Sequence, residues 1–248
     1  MRWIRTLGSA GVRSCSMGAL VAATSAISAG AQTPSATPPP AVSRPAPASQ
    51  PQQHFLVVLD AAHGGDDFGG HMGNEPEKSF ALALSVRLRS LLAARGIQVV
   101  TTRESDITMD AAHRAEIANH AKAQACLSLH ASETGFGIHL FASSLPPAPA
   151  SRIPAWRTAQ AAWVTQSLAL AGVLNSALLH AGLSVTLGRT ALPEVDSMTC
   201  PAIAVEVAPN KAADASAATD LDAPAYQAHV AEALAAALLE WKNGVEQP

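Results

Sequence analysis

The sequence predicts one α/β domain over residues 54–243 of the 248-residue chain, with a mostly parallel twisted sheet of about six strands flanked by helices. Two observations carry this expectation. Short runs rich in Val, Ile and Leu alternate with longer segments of helical spacing, which is the pattern of βαβ units. Polar residues able to bind a metal stand just past the ends of those runs, where the carboxyl ends of parallel strands face one crevice.

The first run is FLVVL (55–59), followed by DAAHGGDD and a loop carrying Gly64, Gly65, Gly69, Gly70 and Gly73. In KSFALALSVRLRSLLAARG the residues Leu82, Val86, Leu88, Leu91 and Leu92 recur at helical spacing, and Gly96 ends that helix. IQVVTT (97–102) reads as a strand, and DAAHRAEIANHAKA (110–123) as a helix with Asp110 as its N-cap. ACLSLHA (125–131) is the third strand, and GIHLFAS (137–143) a further one at or near an edge. The prolines at 146, 147, 149 and 154 then impose a loop. A long helix is expected from Trp156 to Ala181, with Trp156, Trp163 and Leu170 spaced by seven and both tryptophans packed on the sheet rather than stacking on carbohydrate. LSVTLGR (183–189), AIAVEV (202–207) and a closing helix in YQAHVAEALAAALLEWK complete the domain.

Residues 1–53 read differently. Arg2, Arg5 and Arg13 precede the weakly apolar MGALVAATSAIS and the small-residue triplet Ala29-Gly30-Ala31, the pattern of a secretory signal over residues 1–31. Cys15 lies before that apolar stretch rather than at its end, which argues against a lipid anchor. Residues 32–53 hold seven prolines among Ala, Ser, Thr and Gln and read as an extended linker. Removing residues 1–31 takes away three arginines and no acidic residue, so the formal charge moves from −3 to −6 and nucleic acid is an unfavoured partner. A soluble exported protein, periplasmic or wall-associated, with no stable membrane anchor is the expectation. Cys126, inside an apolar strand, reads as a buried free thiol; a disulfide with Cys200 is the alternative in an oxidising compartment.

A catalytic zinc takes three protein ligands from His, Asp, Glu or Cys and keeps one position open for water. His63 after the first strand, Glu77 in NEPEKSF and His130 at the end of ACLSL supply such a set. Each histidine alone reads as structural; strand-end placement and glycine-rich surroundings make the group a metal centre. Glu75 lies two residues before Glu77, and Lys78 after it favours Glu77 as the ligand. Hydrolysis also needs a group that moves protons, and Glu206 at the end of AIAV suits that task. Without the other three, Glu206 reads as a buried carboxylate paired to a cation.

Six collinear blocks over residues 55–241 resemble the zinc-dependent N-acetylmuramoyl-L-alanine amidases of the amidase-3 type. DAAHGGDDFG stands for DPGHGGxDPG, EKSFALALSVRLRSLL for EKDxxLxxAxxLxxxL, and VVTTRESD for VxLTRxxD; HRAEIANHAKA, SLHAS and PAIAVEVAPN match ERxxIANxxxA, SIHAN and PAxLVExGFxSN. The resemblance implies zinc held by His63, Glu77 and His130, with Glu206 as the catalytic carboxylate. It also implies structural roles for Arg103 and Arg114, and hydrolysis of the amide between the muramoyl lactyl group and L-alanine in peptidoglycan. Ala61, Ala62, Phe68, Ser132, Ala208 and Pro209 depart from the family pattern, none of them at a ligand. His139 stands where many relatives carry an acidic residue and is expected on the face of the sheet away from the cleft. The alternative is a catalytically weak homologue that binds peptidoglycan or regulates; a protein activator stays open. A phosphate-cradling loop is disfavoured because GxGxxG and GxxxxGK(S/T) are both missing.

Overall fold

Strand β1 (Leu56–Ala61) is buried on both faces because Val57 and Leu59 point into one apolar layer and Val58 into the other, which is why its sequence is continuously apolar rather than alternating. The computed structural model describes residues 54–149, 156–210, 221 and 223–246, so the signal expected at 1–31 and the linker at 32–53 lie outside the described residues. After β1 come a two-residue hairpin, β2 (His71–Met72) and β3 (Glu75–Pro76), then α1 (Glu77–Ala94) and β4 (Gln98–Thr101). α2 (Ala111–Ala121), β5 (Ala125–Ala131) and β6 (Ile138–Ser143) follow. A 3-10 turn at Trp156–Ala162 leads into α3 (Val164–His180), β7 (Val185–Thr190), α4 (Pro193–Asp196), β8 (Ala202–Val207) and α5 (Pro224–Glu246).

The six-stranded sheet runs β4-β1-β5-β8-β6-β7, with β4, β1, β5 and β8 parallel and β6 antiparallel to β8. The α/β class with a mostly parallel sheet stands as predicted. Helices α1, α3 and α5 cover one face, and α2 with α4 the other. Parity along each strand sorts the side chains. Leu127, Leu129, Ile203 and Val205 face the first layer, while Cys126, Ala202 and Ala204 face the second. Among the described residues no single helix is long and apolar enough to cross a membrane.

Local chemistry sets the helix ends. The Asp110 side chain accepts from the backbone N–H of His113 at 2.8 Å and caps α2 as expected. Gly96, at φ 71°, closes α1 with the Ile97 N–H donating to the Leu92 carbonyl at 3.0 Å. The buried face of α1 is set by Phe80, Ala81, Leu84, Leu88 and Leu92, whereas Val86 points to solvent. Leu88→Ala is therefore expected to cost about 2–5 kcal/mol in urea unfolding, and Val86→Ser to stay within about 0.5 kcal/mol. Equal losses at the two positions would put the buried face elsewhere.

Three expectations need correction. The single helix from Trp156 to Ala181 is two segments meeting at 67°. Buried Gln160 donates through Nε2 to the carbonyls of Met198 and Cys200, at 2.9 and 3.0 Å, which ties the first segment to the chain before β8 instead of letting it continue α3. Trp156 is consequently exposed, with Arg157 over its ring, and Trp163 only half-buried, so neither packs as the heptad spacing implied. Cys126 is also not a free thiol, because it forms a disulfide with Cys200. β5 and β8 are neighbours with Cys126 beside Ala202 in register, which brings the two Cα atoms to 6.2 Å, within the range a disulfide spans.

Candidate metal centre

The carboxyl ends of β1, β5 and β8 meet at one edge of the sheet, and the polar side chains there leave on the α2/α4 face. His63 follows β1 in a left-handed backbone conformation, φ 61°, uncommon for a residue with a side chain and typical of functional loops. Two buried arginines hold the chain just before it. Arg103 donates to the carbonyls of Ala61, Ala62 and Lys78 at 2.6–2.9 Å, and Arg114 to that of Ala61 at 2.8 Å. Lys78 Nζ fixes the loop itself through the Gly65 carbonyl and the Asp106 carboxylate, both at 2.7 Å.

Glu77, the first residue of α1, is buried and reaches over the end of the sheet between two imidazoles. Its Oε2 lies 3.1 Å from His63 Nε2 and accepts from the Gly70 N–H at 2.8 Å; its Oε1 lies 2.9 Å from His130 Nδ1. Gly69, at φ 66°, leaves the room this requires: a Cβ there would come within 2.6 Å of His63 Cδ2 and 2.7 Å of Glu77 Oε2. Glu75, the other acidic residue weighed for this place, is exposed in the β2–β3 hairpin. One donor atom from each of His63, Glu77 and His130 lies within 4.8 Å of the other two.

The far nitrogen of each imidazole has its own partner. His63 Nδ1 lies 2.8 Å from Asp67 Oδ2; an ionised carboxylate only accepts, so Nδ1 carries a hydrogen and Nε2 is the nitrogen turned to Glu77, donating to its Oε2 without a metal and able to bind one once that proton is lost. His130 Nε2 faces Ser128 Oγ at 3.2 Å and Glu194 Oε1 at 3.6 Å. Ser128 in turn donates to the fully buried Asp60, which also accepts from Thr102 Oγ1 at 2.7 Å. Such outer partners fix ring orientation and tautomer in metal sites. Two imidazoles and one carboxylate are donor types that a catalytic zinc takes, and one ligand atom from each lies within 4.8 Å of the other two, so the chemistry of this donor set fits the ion.

Electrostatics agree with a place for a cation. Burial alone would raise the Glu77 carboxyl, but the bonds from His130, His63 and the Gly70 N–H override it and hold the group well below the ordinary carboxylate range. The Glu77 carboxylate raises His63, against burial, with Asp67 adding to the rise. Burial lowers His130, yet Glu194 and Glu77 together lift it to about 9. Both rings are drawn toward positive charge by the carboxylates around them, Glu77 and Asp67 for His63 and Glu194 and Glu77 for His130, and a divalent ion in their midst would replace those protons.

Glu206 stands on β8, beside His130 in parallel register and on the same face, with its side chain about one-third exposed at 31%. Its Oε1 lies 2.7 Å from Nδ1 of His139, which corrects the expectation that His139 faces away from the cleft. β6 is antiparallel to β8 with His139 opposite Glu206, and paired residues leave a sheet on the same side. Asp60 and Glu194 are the residues beside the cluster that sequence reasoning missed, and His139 is the one it placed on the wrong face. For Asp60 the signal was available, since Ser128 precedes His130 by two residues and therefore shares its face. Glu194 sits on the four-residue α4, where no periodicity announces it.

The family profile for N-acetylmuramoyl-L-alanine amidase matches residues 57–240. The chain is 32% identical over 98 residues to the germination-specific N-acetylmuramoyl-L-alanine amidase of Bacillus subtilis strain 168, covering 34% of this chain and 41% of that protein. It is 40% identical over 78 residues to N-acetylmuramoyl-L-alanine amidase AmiA of Escherichia coli K12, covering 31% and 27%. These alignments span less than half the length of the curated relatives. Among solved structures, the catalytic domain of CwlV, an N-acetylmuramoyl-L-alanine amidase from Bacillus (Paenibacillus) polymyxa var. colistinus, superposes with a TM-score of 0.58 at 23% identity, covering 76% of this chain and 98% of that one. The amidase Ami1 from Mycobacterium smegmatis gives 0.61 at 20% identity, covering 77% and 97%. At these identities the structures speak for the fold.

Proposed function

The chain belongs to the N-acetylmuramoyl-L-alanine amidase family, and from that premise we propose that it is a zinc-dependent hydrolase of peptidoglycan that cleaves the amide between N-acetylmuramic acid and L-alanine. One observation carries the reading: His63, Glu77 and His130 converge with their donor atoms within 4.8 Å, each imidazole backed by a partner on its far nitrogen. Zinc held by these three supplies Lewis-acid polarisation of the scissile carbonyl and lowers the pKa of water to about 7.

The protein's own groups do the rest. Asp67 and Ser128 keep the two rings aimed, and Arg103 and Arg114 keep the loop before His63 in place. The Glu206 carboxylate takes a proton from the attacking water, then returns it to the L-alanine nitrogen as the C–N bond breaks. Met109, Asp110 and Glu194 join His63 and His130 in lining a cleft beside the metal ligands.

We place the protein outside the cytoplasm, in the periplasm or at the wall. The arginine-led apolar stretch ending in Ala29-Gly30-Ala31 supports this, as does the Cys126–Cys200 disulfide, since such bonds persist in oxidising compartments. The test is digestion of purified peptidoglycan followed by mass spectrometry, with zinc content measured on the same preparation. Free stem peptides beginning at L-alanine are expected, together with one zinc per chain and loss of activity in a strong chelator that zinc restores. Zinc binding with no release of stem peptides would leave the non-catalytic wall-binding reading in its place.

A further inference from the structure

His130 on β5, Glu206 on β8 and His139 on β6 form one row across three neighbouring strands, since Glu206 is in register with both histidines. Side chains at paired positions emerge on the same face with Cβ atoms about 4.5–5.5 Å apart, so a row of three polar groups at the open end of a sheet is a shared surface. Between Glu206 and His139 the contact is direct, with Oε1 and Nδ1 at 2.7 Å. An ionised carboxylate can only accept, so the imidazole carries its hydrogen on Nδ1 and donates it to Oε1. Oε2 takes no hydrogen bond among the described residues.

The ring is held from two further sides. Gly135, at φ 81°, lies so close that a Cβ there would come within 2.6 Å of His139 Cε1 and 3.0 Å of Nε2. The Phe141 ring meets the imidazole edge-on, with centroids 6.2 Å apart and planes at 70°. Strand register, a glycine that leaves room and an aromatic edge thus fix a side chain only 16% exposed beside a carboxylate nearly twice as open.

We propose that His139 is a positioning residue: it holds Oε1 of Glu206 and so aims Oε2 as the oxygen that exchanges the proton. This rests on the reading of Glu206 as the proton-transferring carboxylate. A glutamate loses rotamer freedom only when something restrains it, and a proton-transfer group displaced by about 1 Å costs on the order of 10²-fold in rate. His139 supplies the restraint without touching substrate or metal.

The test uses the full-length protein with a soluble muropeptide. His139→Leu is expected to lower kcat by about 10–100-fold, with KM and zinc content unchanged. His139→Asn, whose amide N–H lies close to the position of Nδ1, is expected to recover most of the loss. Gly135→Ala, whose Cβ would press on His139 Cε1 and Nε2 while leaving Glu206 untouched, should move kcat in the same direction. Loss of zinc in His139→Leu, a loss expressed in KM, or failure of asparagine to rescue would each overturn the proposal. Glu206→Gln, measured alongside, separates the two ideas. Full activity there removes the premise, whereas an inactive Glu206→Gln beside a fully active His139→Leu removes only the inference. The imidazole ¹⁵N spectrum reads the pair independently of turnover: a hydrogen on Nδ1 of His139 is expected, and an unprotonated Nδ1 would overturn the assignment even in a protein with no amidase activity.

Discussion

Glu206→Gln is expected to lower turnover by about 10²–10⁴-fold while one zinc per chain is retained. Glu206 is outside the cluster of His63, Glu77 and His130, so the metal keeps all three of its protein donors in the variant. Glutamine matches glutamate in shape, and its carbonyl oxygen still accepts from His139 Nδ1, so the β8–β6 row and the packing beneath it persist. Only the ability to take up and release a proton is removed. The measurement pairs kcat on a muropeptide with zinc content by atomic absorption. Near-parental turnover would refute the role of Glu206, and loss of zinc would recast it as part of the metal centre.

How far the sequence reaches depends on which interactions are local. The parallel strands were legible because each is an apolar run that ends at a polar residue, and the ends of FLVVL, ACLSL and AIAV gave His63, His130 and Glu206 directly. Glu77 was legible through Lys78, whose ammonium proves to clamp the Gly65 carbonyl. His139 was placed on the wrong face because β6 enters the sheet antiparallel beside β8, and the sense of that strand is a long-range fact absent from its own residues. The bend before α3 was hidden for the same reason. Heptad spacing of Trp156, Trp163 and Leu170 argues for a straight helix, whereas the buried Gln160 Nε2 donates to the distant carbonyls of Met198 and Cys200. The disulfide needed knowledge that Cys126 and Cys200 flank one strand pair.

His63→Ala is expected to abolish stable zinc binding and, with it, activity. Three protein donors are the usual minimum for a catalytic zinc, and this change leaves Glu77 and His130. The loss should be specific to the metal rather than a collapse of the domain. The His63 side chain is 23% exposed in a loop whose path is set by Arg103, Arg114 and Lys78, none of which bonds to the imidazole. Thermal unfolding tells the two outcomes apart. A ligand that binds only the folded state stabilises it by about 2.7 kcal/mol at a hundred times its Kd, so zinc should raise the Tm of the parent and leave that of His63→Ala where it stands without metal. Asp67 sharpens the same test: it holds His63 Nδ1 at 2.8 Å but belongs to no donor set, so Asp67→Ala should keep a zinc-dependent rise in Tm that needs about 10–100-fold more zinc. A full zinc response in His63→Ala would mean that the ion is held by a different set of residues at this edge of the sheet, with His130, Glu77 and Glu194 the donors to examine first.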